Sequence, residues 1–218
     1  MKKKLAFACA LGLMTAASSA FAESNGGSWY AGGSGGMTMP KNSTITGTTA
    51  GKADYGFSSG ANLALGYRPE AFMSDTGSVR TEIEGGYHAL GLDKVTVGGV
   101  VNNNPKGDMK ITTVMANAYY DFHTGTSFTP YIGGGIGDAM IDFPKSNGFG
   151  NTKSGDSQFA YQAMAGVSYT PESMPATDWS VGYRYLGTSS PDFKTAGGHI
   201  SSDALSTNSV EIGFRYNF

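Results

Sequence analysis

His199-Ile200-Ser201, with Asp203 close behind, comes nearest in residue types to nucleophilic chemistry. A serine beside an imidazole base, with a carboxylate to orient the ring, is the core of an acyl-transfer site. Here the trio lies in a long polar stretch and nothing nearby supplies an oxyanion hole, so the spacing reads as a loop and not as a catalytic site. His88 reads as an interior hydrogen-bonding residue and His123 as a turn residue, and no pair of histidines has metal-ligand spacing. Gly133-Gly134-Gly135-Ile136-Gly137 would cradle a phosphate only ahead of a helix. No helical pattern follows, so the glycines read as close packing at a strand bend. The expectation is no catalytic residue, no cofactor and no metal.

A second set of residues points to ionic chemistry. Arg68, Arg80, Arg184 and Arg215 stand between apolar neighbours in alternating segments, as do Glu82, Glu84, Asp121 and Glu211. If these eight share one enclosed face, they must be paired and hydrogen-bonded, because an isolated buried charge is too costly to keep.

That face is set by the strands that carry the charges. In Val210-Glu211-Ile212-Gly213-Phe214-Arg215-Tyr216-Asn217-Phe218 apolar and polar residues alternate strictly. A period of two is a strand with one oily and one wet face. The same pattern marks 28–36, 57–68, 79–90, 110–122, 129–141, 159–170 and 178–186. Most of these are near the ~9–11 residues with which a tilted strand crosses a bilayer. Leu63, Ile83, Val114, Val167, Val181 and Ile212 belong to the oily face, and the eight charges to the other. A Lys or Arg facing lipid at the midplane would cost ~2–4 kcal/mol, so this sorting favours an oily face turned to lipid. The segments 28–36 and 129–141 are too Gly-rich to sort, and a break of parity at Gly137 and Asp138 predicts a bulge. Outward aromatics gather at the strand ends: Tyr67, Tyr120, Phe122, Tyr169, Trp179 and Phe218 at one, Phe57, Tyr87, Tyr161 and Tyr185 at the other.

The connectors alternate too. Those at 37–56, 91–109, 142–158 and 187–209 are long and polar, and those at 69–78, 123–128 and 171–177 are shorter and turn-like. Long outer loops, short inner turns and an even strand count define the fold class: all-β, an eight-stranded antiparallel up-and-down transmembrane β-barrel.

The N-terminus carries an export signal. Lys2, Lys3 and Lys4 precede an apolar run that ends at Ala20-Phe21-Ala22, an A-x-A cleavage site. The reading is a cleaved signal peptide at 1–22 and a barrel domain at 23–218. Cys9 falls within the signal, which leaves no cysteine for a disulfide. Loss of the three lysines leaves 12 basic against 17 acidic side chains, which argues against a nucleic-acid partner. Asn42-Ser43-Thr44 fits a glycosylation sequon, which in an exported bacterial protein reads as chance.

Four stretches now point to a family: Tyr120-Asp121-Phe122; Thr129-Pro130-Tyr131-Ile132 running into the glycines; Phe159-Ala160-Tyr161-Gln162-Ala163-Met164-Ala165-Gly166-Val167-Ser168-Tyr169; and Gly182-Tyr183-Arg184-Tyr185-Leu186-Gly187-Thr188. Together they resemble the second half of the surface-antigen, or major-surface-protein, family of alphaproteobacteria. That family belongs with the opacity proteins and the outer membrane protein A-type barrels. The resemblance covers about 112–218 well and the first half by topology alone. It implies an outer-membrane barrel of a Gram-negative bacterium whose exposed loops serve adhesion, immune exposure or envelope integrity. The expected function is a non-enzymatic surface antigen, adhesin or envelope-structural protein. A small-solute porin with a narrow gated lumen is the alternative, and a lipid-A-modifying enzyme ranks below both.

Expected partners are outer-membrane lipid and lipopolysaccharide, the barrel-assembly machinery during insertion, and host or extracellular ligands through the loops. By resemblance to other barrels, Phe214, Tyr216 and Phe218 form the assembly signal. An eight-stranded lumen is just wide enough to be filled by side chains. Counting heights along the strands places Arg80 beside Asp121, Glu82 level with Arg215, and Glu84 near Arg184. The lumen therefore reads as a salt-bridged plug, with rearranging bridges as the pore alternative.

Overall fold

The computed structural model describes residues 26–41, 43–47, 51–97, 100–102, 108–142, 157–189, 192–195, 198–202 and 204–218. The strands are β1 (Gly27–Pro40), β2 (Ser43–Gly47), β3 (Gly51–Pro69), β4 (Gly77–Val97), β5 (Val100–Asn102), β6 (Met109–Phe122), β7 (Phe128–Asp142), β8 (Ser157–Tyr169), β9 (Thr177–Thr188), β10 (Asp192–Thr195), β11 (Gly198–Ser202) and β12 (Ser206–Asn217). Eight of them form the wall, in the order β1-β3-β4-β6-β7-β8-β9-β12. Every neighbouring pair is antiparallel, and β1 pairs with both β3 and β12, which closes the sheet. Closure leaves the wall no open edge and satisfies its backbone groups within itself, the condition for crossing lipid as strands.

Side chains alternate as the sequence predicts. Leu63, Ile83, Val114, Ile132, Val181 and Ile212 are among the large apolar residues exposed on the outside, while Arg80, Glu82, Glu84, Asn117, Asp121 and Arg184 are buried inside. Aromatics cluster at the strand ends on the short-turn side, where Tyr120 meets Phe122, Phe128 meets Tyr169, and Tyr216 meets Phe218. The Phe57 side chain lies outside the described residues.

The structure corrects the reading in two places. The connectors 37–56, 91–109 and 187–209 are not plain loops, because β1, β3, β4 and β12 run on into them and β2, β5, β10 and β11 lie within them. The predicted bulge at Gly137 and Asp138 is absent: β7 stays in unbroken register with β6 through Met115↔Gly137 and Val114↔Asp138. The described irregularity lies instead in the β3–β4 pairing, on either side of Tyr55.

Asp138 is outward and exposed, and accepts a hydrogen bond from Ser157 Oγ at 2.9 Å. Its parity is intact because it stands beyond the oily band. From Val79 to Tyr87, β4 climbs roughly 20 Å at about 3.3 Å per residue and a tilt of about 40°, which accounts for most of an outer-membrane apolar band. The strand then continues to Val97. Above the band the faces become mixed. Lys110, Asp138, Ser157 and Asn208 point outward beside the exposed Met39, Met140 and Phe159, while Leu90, Met109, Ile111, Ala139, Ile141, Ala160, Leu186 and Leu205 pack inward as one buried cluster, with Thr38, Ser58 and Thr207 also buried. The lower wall is arranged for lipid, and charged side chains join the outer face only above it.

Candidate functional site

The lumen is the site the sequence points to, and its charges fall into two layers. In the layer nearer the short turns, Arg80 Nε donates to both carboxylate oxygens of Asp121, at 3.0 and 2.9 Å. Its Nη1 stands 3.6 Å from Glu82, and its guanidinium carbon lies 3.8 Å from the centre of the Tyr119 ring. Glu82 accepts hydrogen bonds from Tyr30, Tyr119 and Asn117 at 3.0, 2.8 and 3.1 Å. Arg68 Nη2 reaches Asp121 at 3.5 Å. Arg215 Nε donates to Asp178 Oδ2 at 2.8 Å, and Thr170 and Asn217 donate to the same carboxylate.

The second layer is centred on Arg184. Its Nη1 and Nη2 donate to the two oxygens of Glu84 at 2.7 and 2.8 Å. Nε and Nη2 donate to the two oxygens of Glu211 at 2.9 and 3.1 Å. Nη1 also donates to Gln162 Oε1 at 2.6 Å, and Gln162 Nε2 donates onward to Glu84 and Asn117. All five guanidinium protons thus have carboxylate or amide acceptors, the arrangement a buried arginine requires. A cavity of about 90 Å³ lies between the layers, bordered by Tyr30, Arg80, Glu82, Arg184, Glu211 and Arg215. Its lining is half polar and half apolar, with room for a few water molecules.

The β7 glycines make this packing fit. A Cβ on Gly133 would strike the Tyr119 ring, and one on Gly135 would strike the Asn117 amide. Glycine lets the neighbouring strand's long inward side chains lean across β7, as the sequence reading of close packing requires.

All eight charged residues singled out in the sequence point into the lumen and take part in the two layers, with Arg80 beside Asp121 and Glu84 on Arg184. The expected match of Glu82 to the height of Arg215 gives no pair. Arg215 takes Asp178 on the adjoining strand, and Glu82 is held by tyrosines and Arg80. Asp178 was missed, although it shares parity with Ser180, Gly182 and Arg184. Tyr30 was missed because the Gly-rich first strand could not be sorted. His88 is buried as expected, but its Nδ1 has no hydrogen-bond partner among the described residues. Phe214 packs on Trp179 and Tyr216 on Phe218, and the Phe218 amide donates to Trp29 O at 2.9 Å across the closing seam.

For the nucleophilic trio, His199 and Ser201 lie on β11 with side chains outside the described residues, and Asp203 lies outside them altogether. Asn42 of the sequon, the whole 1–22 segment and its cleavage site also lie outside them. Among the described residues no three His, Cys, Asp or Glu side chains gather as a metal site would require.

An oily outer belt, a closed wall and a charge-filled interior together define an integral β-barrel of the Gram-negative outer membrane. Over residues 7–218 the chain matches the outer membrane protein beta-barrel domain, and it belongs to that family. It is similar to the outer membrane protein PagN of Salmonella typhimurium (strain LT2), 31% identical over 141 residues, or 59% of this chain and 58% of PagN. Among solved structures, Neisserial surface protein A (NspA) superposes with a TM-score of 0.55 at 20% identity, covering 89% of this chain and 100% of that one. OprG of Pseudomonas aeruginosa superposes with a TM-score of 0.55 at 17% identity, covering 88% and 96%. At those identities the likeness is one of fold.

Proposed function

We propose that this barrel is a non-enzymatic surface-display protein, an antigen or adhesin whose raised outer loops meet extracellular or host ligands. The carrying observation is the double closure of the lumen. The Arg184 layer joins β4, β9 and β12 across the interior, and above it Leu90, Ile111, Ile141 and Leu186 belong to a buried apolar cluster. A solute would have to break a chelated guanidinium and then part an apolar core, which leaves the outer surface as the part of the molecule able to work. The upper wall suits display, since it lifts the loops roughly 25 Å above the oily band, from Tyr87 to Val97, at about 3.3 Å per residue and a tilt of about 40°. The fold neighbour NspA is itself named a surface protein.

The test pairs a loss with a control. Replacing 190–203 with a short turn should abolish binding of barrel-bearing cells to extracellular-matrix or host-cell surfaces while folded barrel persists in the membrane, since β9 and β12 stay whole. Purified barrel in planar bilayers should be electrically silent, and lipid A from cells with and without the protein should have the same mass. Steady conductance would favour a porin, and altered lipid A would favour an enzyme.

A further inference from the structure

A groove of about 600 Å³ is let into the lipid-facing wall, across β1, β3, β4, β6 and β7. Its floor is a row of small side chains that stand side by side in the ladder. Thr81 on β4 pairs with Ala118 on β6, and Ala118 with Gly134 on β7, all three exposed on the outside. Larger residues border the row above, where Leu65 pairs with Ile83 and Ile136 with Ala116. At the β1 end Trp29 pairs with Tyr67, their ring centres 5.0 Å apart.

The row climbs as it crosses the strands. Trp29 and Tyr67 lie two residues inside the short-turn ends of β1 and β3, Thr81 and Ala118 four residues inside those of β4 and β6, and Gly134 six inside that of β7. The groove thus starts at the short-turn aromatic girdle and rises into the oily band. Four strand spacings of about 4.8 Å make it roughly 19 Å long. One leaflet supplies about half of the ~30 Å hydrocarbon core, so an acyl chain laid aslant along the row runs from the interface to near the midplane. Left unfilled, the floor would forfeit its dispersion contacts. A protein is a poor filler, since a groove one row wide offers far less than the ~1,200 Å² that a stable protein contact buries.

We propose that this groove binds one acyl chain of a phospholipid from the periplasmic leaflet, with the ester end at Trp29 and Tyr67 and the methylenes over Thr81, Ala118 and Gly134. The side chains turned to the groove are uncharged, and Glu82 beneath them points into the lumen, so the chain and not the headgroup is recognised.

The experiment weighs the barrel, purified from outer membranes in mild detergent, by native mass spectrometry. The expected spectrum shows a monomer carrying one phospholipid. Gly134→Leu, which fills the groove, should lose that adduct. Gly85→Leu adds the same bulk to the lipid-facing side of β4 outside the groove, where a Cβ meets nothing within 4 Å, and should keep it. If Gly134→Leu does not give the gel shift of a folded barrel, Ala118→Leu takes its place. A second readout uses Trp179→Phe, which leaves Trp29 as the sole tryptophan of the chain. In vesicles of dioleoylphosphatidylcholine mixed with a phosphatidylcholine dibrominated near the ester end of one chain, Trp29 should be quenched more than the bulk fraction of brominated lipid dictates, and Gly134→Leu should remove the excess. Absence of the adduct together with quenching that Gly134→Leu leaves unchanged overturns the proposal. So does an adduct that both leucine variants keep or both lose, which would assign the lipid to the general annulus. A mass of two barrels that Gly134→Leu returns to one would give the groove to a second copy of the chain instead.

Discussion

Arg184 on β9 and Glu84 on β4 reach from opposite walls of the barrel, four places apart in the strand order, and join at its centre through hydrogen bonds of 2.7 and 2.8 Å. The pair works as a cross-brace, and Glu211 on β12 holds its arginine end. Arg184→Ala would strand two buried carboxylates, with an expected loss on the order of 3–5 kcal/mol. Urea unfolding followed by the gel shift measures it. Replacing the unit with apolar residues (Arg184→Met, Glu84→Leu, Glu211→Met) should recover most of that loss, since well-packed apolar residues often match a buried ion pair. A triple variant no more stable than the single one would show that the charges contribute more than their pairing.

Gly133 provides a second test of lumen packing. Its Cβ would overlap the Tyr119 ring, which carries the guanidinium of Arg80 on its face and donates to Glu82. Gly133→Val should therefore destabilise by about 1–3 kcal/mol through overpacking. Gly134 faces outward, and a Cβ there would meet only the Gln162 carbonyl oxygen at 3.7 Å, an ordinary contact, so Gly134→Val should be nearly silent in the same unfolding assay.

Much of this architecture was legible in the sequence because a period of two survives any environment. Strand number, closure, and the inward set from Arg68 to Arg215 all follow from it. The apolar cluster was not legible, for a physical reason. Faces were assigned by the rule that oily side chains meet lipid, and that rule lapses where the wall leaves the membrane. Leu90, Ile111 and Leu186 keep the parity of Glu84, Asn117 and Arg184 yet carry the opposite chemistry, and Asp138 looked like a break in pattern when it only marked the waterline. Asp178 escaped because it sits at the very start of its strand, where parity has little to lean on.

Orientation is testable on intact cells. A protease-susceptible tag within 91–109 or 187–209 should be cut from outside. The same tag in 171–177, between β8 and β9, should be protected until the outer membrane is opened. Cleavage in the reverse pattern would turn the barrel over.

The closing strand is expected to direct assembly. Phe218 packs its ring on Tyr216 at the seam where its amide donates to Trp29 O, so removing the ring loosens the seam as well as any signal the assembly machinery reads. Phe218→Asp should lower the amount of heat-modifiable protein in outer-membrane fractions. Refolding the purified variant into detergent separates the two effects. Normal refolding with poor assembly in cells assigns the defect to recognition, and failure in both assigns it to the seam.

The change of faces sets the waterline, and single cysteines can map it. Replacing Lys110, Asp138 or Asn208 with cysteine places a thiol on the outside of the upper wall, and replacing Val114, Ile136 or Ile212 places one on the outside of the oily band. A membrane-impermeant maleimide on whole cells should label the first three rapidly and the second three hardly at all, although the two sets lie only two to four residues apart along their strands. Energetics should follow the same line. An Arg at Ile136 faces the apolar band and should cost ~2–4 kcal/mol, whereas an Arg at Asp138 should cost little. Leu186→Ala tests the interior side of the boundary. It removes a nearly fully buried leucine from the apolar cluster and should cost about 2–5 kcal/mol, as in the core of a water-soluble protein. Because the Arg184 layer still closes the lumen below, this variant should remain non-conducting in planar bilayers. Joining it to Arg184→Ala removes both closures, and that double variant is the one expected to pass current. Equal labelling of the two cysteine sets would place lipid against the upper wall and remove the raised platform on which the display function rests.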